Sequence, residues 1–303
     1  MGLICAVNNK RPENVFIHEQ IVRFKFLAGQ VVLAENILRA YSVLSERQRL
    51  NQELEFTRNL QRSLLPTEHP RWGDFIIQAF SRSSKEVSGD FYDIVEIDAN
   101  RLLVVIGDAC GKGIPACMIM AMTRSFIRAN VARFSTLKQL ILDLNDNLYH
   151  DMGDGRYITL GLCLLNRKEN TVEYIRAGHT ELLVFVRDHI RTIYPEGAGL
   201  GVLPSDMADF DTFCVEYSPG MRLLLFTDGI NEAINSDGMY FGVERIKDIF
   251  MRSSQKREST EKTIAALMDR VNEFSENPKS LADDQTVVII SQCREPAAKI
   301  AVR

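Results

Sequence analysis

A chain of 303 residues with a formal net charge of −4 and 46% hydrophobic residues has the make-up of a globular protein with a real core. Its net charge and scattered basic residues give no reason to expect nucleic acid as a partner, and its longest apolar runs, such as Leu102–Gly107 and Met221–Phe226, are too short for a membrane span. Six cysteines (Cys5, Cys110, Cys117, Cys163, Cys214, Cys293) without a C-x-x-C pair exclude a zinc ribbon and a disulfide framework; with no secretory signal in view, the expected compartment is the cytoplasm.

Residues 2–7 read as a buried strand, followed by a polar turn at 8–12. From Ile17 the apolar positions Ile17, Ile21, Phe24, Ala28, Val31 and Leu38 form a helical seam close to a heptad. The seam continues through Val43, Leu50, Leu54, Leu60 and Leu64, and no glycine or proline interrupts the chain between Gly29 and Pro66. The pattern predicts one helix over about 17–65, a connector too long to pack wholly on a small domain and expected to pair with its copy in a homodimer.

After Pro66 the pattern predicts strands at Phe75–Phe80, Phe91–Ile97 and Leu102–Gly107, then helices at Ile114–Val131 and Leu137–Asp151. Strands return at Ile158–Leu165, Thr171–Ala177, Leu182–Val186, Phe213–Tyr217 and Arg222–Thr227. Helices at Val243–Arg252 and Thr260–Phe274 precede a last strand at Gln285–Ser291. Strand clusters interleaved with helix pairs predict an α+β layered domain, two sheets with helices outside.

Four segments place an aspartate at the end of an apolar strand beside a glycine or a second aspartate: Ser88-Gly89-Asp90-Phe91-Tyr92-Asp93, Ile106-Gly107-Asp108-Ala109-Cys110-Gly111-Lys112-Gly113, Phe226-Thr227-Asp228-Gly229 and Ala282-Asp283-Asp284-Gln285-Thr286. One such segment is a common turn; four in one domain point to carboxylates whose repulsion bound cations relieve. Carboxylate, carbonyl and water suit Mg²⁺ or Mn²⁺, and a pair of such ions serves to acidify a water for phosphoryl transfer. The stretch Gly107–Gly113 lacks the spacing and ending of an ATP-binding P-loop.

In this order, G-D-F-Y-D, G-D-A-C-G-K-G, T-D-G-I-N-E-A and D-D-Q-T resemble the bacterial branch of the PPM (PP2C-type) phosphatases, the SpoIIE/RsbU group that controls sigma-factor partner switching. Gln61-Arg62-Ser63-Leu64-Leu65-Pro66, Ala177-Gly178-His179 and Gly199-Leu200-Gly201-Val202 extend the resemblance over about residues 60–292. It implies a four-layer α-β-β-α sandwich with two or more Mn²⁺ or Mg²⁺ ions, acting on phosphoserine or phosphothreonine. Asp108 would bridge the metals with the Ala109 carbonyl as a further ligand; Asp90, Asp228 and either Asp283 or Asp284, with Asp283 preferred, would complete the set. Asp108 and Asp228 would carry the catalysis. Asp93 would orient its neighbours, and Thr286 would cap the entering strand. Eukaryotic relatives carry a histidine after the bridging aspartate; Ala109-Cys110 stands here, and His179 reads as structural.

The implied substrate is a phosphorylated STAS-domain anti-sigma-factor antagonist. Residues 1–40 resemble the last strand and helix of a GAF sensory domain, which would suggest that its earlier part is missing. Residues 41–66 read as a helical, coiled-coil linker, 67–292 as the phosphatase domain and 293–303 as a polar tail. A catalytically silent module of the same fold and a hydrolase of small phosphoesters are the rival readings.

Overall fold

The computed structural model describes residues 16–66, 71–85, 87–153, 155–276 and 281–292. The strand expected at 2–7 and the tail at 293–303 lie outside the described residues. The chain divides into two units, Met1–Phe56 and Thr57–Arg303.

Helix α1 (His18–Leu64) begins in the first unit and ends in the second, within a residue of the predicted span at each end. It has no break at residue 40. Ion pairs one turn apart, Glu19 with Arg23, Glu35 with Arg39 and Arg49 with Glu53, lie along its surface. Its apolar seam residues Ile17, Ile21, Val31, Leu38, Val43 and Leu50 are all exposed.

In the second unit, β1 (Arg71–Trp72), β2 (Phe75–Arg82), β3 (Asp90–Asp98) and β4 (Arg101–Ala109) lead into helices α2 (Ile114–Asn130) and α3 (Leu137–Met152). Then come β5 (Ile158–Asn166), β6 (Thr171–Ala177), β7 (Leu182–Val186), β8 (His189–Ile193), β9 (Thr212–Glu216) and β10 (Arg222–Phe226). The short α4 (Asp228–Asn231), α5 (Val243–Gln255), α6 (Thr260–Ser275) and β11 (Gln285–Gln292) close the unit. One antiparallel sheet has the order β1-β2-β11-β10-β7-β8, the other β3-β4-β5-β6-β9. Helices α2 and α3 pack together, α2 against β3 and β4; α5 and α6 pack together on the first sheet. This is the expected α-β-β-α sandwich.

The central strands are buried on both faces, which is why they read as continuous apolar runs. Along β10, Leu223 and Leu225 enter the core between the sheets, while Leu224 and Phe226 face α5 and α6. Along β11, Val288 and Ile290 join the first set, Val287 and Ile289 the second. Cutting any of these leucine or isoleucine side chains back to alanine would cost about 2–5 kcal/mol.

The helix ends have local causes. Thr136 caps α3 by accepting the Gln139 amide at 3.2 Å, and Ser259 caps α6 by accepting the Lys262 amide at 3.3 Å. Strand β8 escaped the sequence reading because its hairpin turns on Arg187 and Asp188, with φ 49° and 62°, in place of the usual Asn-Gly.

Candidate functional site

The topology carries the acidic motifs to one end of both sheets. Asp90 opens β3 and lies directly across from Asp108 near the end of β4. Asp228 follows β10, and Asp283 and Asp284 precede its antiparallel neighbour β11. Two missing side chains make the approach close. A Cβ on Gly89 would sit 2.6 Å from the Ala109 carbonyl oxygen, and one on Gly229 would sit 1.9 Å from that of Asp284. Thr227 ties the sheets together there: its hydroxyl donates to Asp90 at 2.7 Å and accepts the Thr286 amide at 2.9 Å.

The two neighbouring aspartates have different surroundings. Asp284 is buried, and its carboxylate accepts the Ser84 amide at 2.7 Å, the Ser84 hydroxyl at 2.8 Å, the Ser88 hydroxyl at 2.6 Å and the Gly89 amide at 3.0 Å. Those bonds fill most of its acceptor capacity. Asp283 is half exposed and pairs with Lys112 at 2.9 Å. Behind Ser88, the buried Gln61 side chain donates to the Ser88 carbonyl at 2.7 Å and accepts the Ser88 amide at 3.0 Å. Ser84, Ser88 and Thr227 went unread in the sequence, because a serine or threonine beside a turn carries no signal of its partner.

The electrostatics bear on what the cluster can hold. Burial, then the charges of Asp228, Asp283 and Asp284, push the Asp108 carboxyl up to about 7, although a hydrogen bond with Asp90 opposes the shift. Asp90 is raised well above its ordinary range by burial and then by Asp108. Asp228 is raised by burial, Glu232 and Asp283, while the Gly229 amide and then Lys112 oppose. Among the described residues no three His, Cys, Asp or Glu side chains already converge as a ligand set. The chemistry of the donors nevertheless fits a hard divalent cation. Hard carboxylate oxygens are gathered in a site that raises the energy of their own charge, the strain such an ion relieves.

Other candidate residues take structural places. Asp93, buried, receives Arg128 through Nε and an Nη, both at 2.6 Å; Arg124 Nε lies 3.2 Å away without hydrogen-bond geometry. Asp93 thereby fastens α2 to β3. His179 is buried, its Nδ1 2.8 Å from the Thr159 hydroxyl, and burial together with nearby Arg176 pushes it down to about 3. A neutral imidazole of that basicity has no proton to give near neutrality. Cys110 Sγ accepts the Tyr157 amide at 3.1 Å, and Thr286 donates to the Ser81 hydroxyl at 3.0 Å.

The family profile described as Stage II sporulation protein E (SpoIIE) matches residues 98–292. Phosphoserine phosphatase RsbU of Bacillus subtilis (strain 168) is 26% identical over 245 residues, 80% of this chain and 71% of RsbU. Protein IcfG of Synechocystis sp. (strain ATCC 27184 / PCC 6803 / Kazusa) is 26% identical over 224 residues, 65% of this chain; the chain spans 35% of IcfG's length. The solved SiaA-PP2C domain of Pseudomonas aeruginosa shares the fold with a TM-score of 0.69 at 19% identity, over 81% of this chain and 98% of that domain. The matched profile covers most of the chain and takes in the strand ends that carry Asp108, Asp228 and Asp283, so the chain belongs to the SpoIIE family of PP2C-type phosphatases.

Proposed function

We propose that the chain is a metal-dependent protein serine/threonine phosphatase that acts in a partner-switching pathway. The observation that carries this reading is the meeting of Asp90, Asp108, Asp228 and Asp283 at one end of the two sheets. The name of RsbU, a phosphoserine phosphatase, supports the reaction class. Two Mn²⁺ or Mg²⁺ ions held by Asp108, Asp228, Asp283, Asp90 and the Ala109 carbonyl would neutralise phosphoryl charge and acidify a water.

The chain's own residues hold this arrangement in place. Thr227 aims the Asp90 carboxylate, and Asp284 holds Ser84, Ser88 and Gly89 beside the start of β3, where Asp90 pairs with Asp108. No side-chain nucleophile is needed, and Cys110 is already engaged with Tyr157. Exposed Ile114, Met118 and Met122 recur every fourth residue along α2, directly after the acidic loop. An adaptable apolar stripe at that place supports a protein substrate over a small phosphoester. By the group's precedent the substrate is a phosphorylated STAS-domain anti-sigma-factor antagonist, and the exposed seam of α1 supports a homodimer through that helix.

Phosphate release with Mn²⁺ from a phosphorylated STAS-domain protein and from p-nitrophenyl phosphate tests the reading. Chelator and Asp108→Asn are each expected to abolish turnover, and the protein substrate should be strongly preferred. Wild-type turnover in Asp108→Asn would overturn the assignment. Absence of turnover in the wild type with either ion and either substrate would favour a catalytically silent module of the same fold.

A further inference from the structure

Lys112 lies in the loop between β4 and α2, four residues beyond Asp108. The loop is fixed at its start, where Cys110 exchanges hydrogen bonds with Tyr157 in both directions, its amide donating at 3.0 Å and its sulfur accepting at 3.1 Å. From it the Lys112 ammonium reaches the opposite motif, donating to the Ala282 carbonyl at 2.6 Å and pairing with Asp283 at 2.9 Å. The contact joins residues 170 positions apart in sequence. Its charge also acts on Asp228, opposing the rise caused by burial, Glu232 and Asp283. Lys112 therefore stands among the carboxylates with the one kind of charge that their mutual repulsion calls for.

We propose that Lys112 is an internal counter-ion that competes with a divalent cation for Asp283, so that a cation binds there by displacing the ammonium. The inference rests on the metal-dependent reading above. An ammonium on a four-carbon stem is a mobile point charge. The Lys112 and Asp283 side chains are 33% and 48% exposed, so the pair separates without stranding a buried charge. A divalent ion at Asp283 brings two charges of the ammonium's own sign within its reach, and the ammonium is driven toward solvent. The opposite role, a tether that holds the 281–284 loop in place for the cation, would make Lys112 a helper of binding. The two roles predict effects of opposite sign.

Titration calorimetry with Mn²⁺ alone, on the full chain, separates them. Lys112→Met and Lys112→Gln should each bind Mn²⁺ roughly 1.5-fold to fivefold more tightly than the wild type, the range set by a partly exposed ion pair. Lys112→Arg should stay near the wild type. In an Asp283→Asn background, Lys112→Met should bring no gain. Unchanged or weaker binding in both neutral variants, or a gain that survives Asp283→Asn, overturns the competition while the metal reading stands. No Mn²⁺ binding by wild type and variants alike overturns both.

Discussion

Asp108 is held at about 7 by burial and three other carboxylates, against 3.8 for an ordinary aspartate, and that difference has a sign. A folded-state value above the unfolded one means that the folded chain keeps its proton longer. The stabilisation is complete below about pH 4 and is lost as pH rises through 7. In chelator, Asp108→Asn should melt with the parent at pH 4 and above it at pH 8, measured by differential scanning calorimetry. Equal melting at both pH values would refute the shift. His179, pushed down to about 3, drives stability the other way, downward as pH falls below 6.5, but the variant comparison cancels it. At this scale the sequence was only partly legible. Asp108, Asp228 and Asp90 could be picked out because each stands at a strand end beside a glycine or a second motif. Asp283 and Asp284 could not be told apart, since what separates them is Ser84 and Ser88 folding back from about 200 positions away. Lys112 stood in plain view, but a lysine between two glycines looks the same whether it meets water or a carboxylate.

The elements were more legible, because period and punctuation govern them. Strands buried on both faces and amphipathic helices fell within a few residues of their observed spans, whereas β8 and α4 gave no pattern to read. Partners across the fold were hidden altogether. The last turn of α1 shows this best: Gln61, one polar residue among many on that helix, is buried and clamps both backbone groups of Ser88. Gln61→Leu would leave a buried amide N–H and carbonyl without partners and should cost about 1–3 kcal/mol of stability. Chemical denaturation should detect the loss as a lower midpoint at an unchanged slope. A midpoint equal to the parent's would mean that Ser88 finds other partners. Because Ser88 in turn binds Asp284, the same variant should lower Mn²⁺ affinity.

For the whole molecule the unsettled surface is the first unit. A solvated helix that carries Ile37, Leu38, Leu44 and Leu50 exposed leaves more apolar surface in water than an isolated helix usually does. If α1 pairs with its copy, replacing Leu38 and Leu50 by glutamate should convert a dimer to a monomer in light scattering. A wild type that is monomeric at micromolar concentration would reject the pairing. No helix of the described residues is long and apolar enough to cross a membrane, so these side chains do not mark a span.

The two-faced burial of β10 and β11 has a consequence for how the site breathes. Backbone amides in such strands should be released to solvent only when the unit opens as a whole, so Thr286, within β11, is expected among the slowest to exchange, with Asp228 two residues past the end of β10. Asp283 and Lys112 belong to loops, where deuterium enters through local excursions. The acidic cluster thus joins strand ends to loops, and exchange at Lys112 and Asp283 should run ahead of exchange at Thr286.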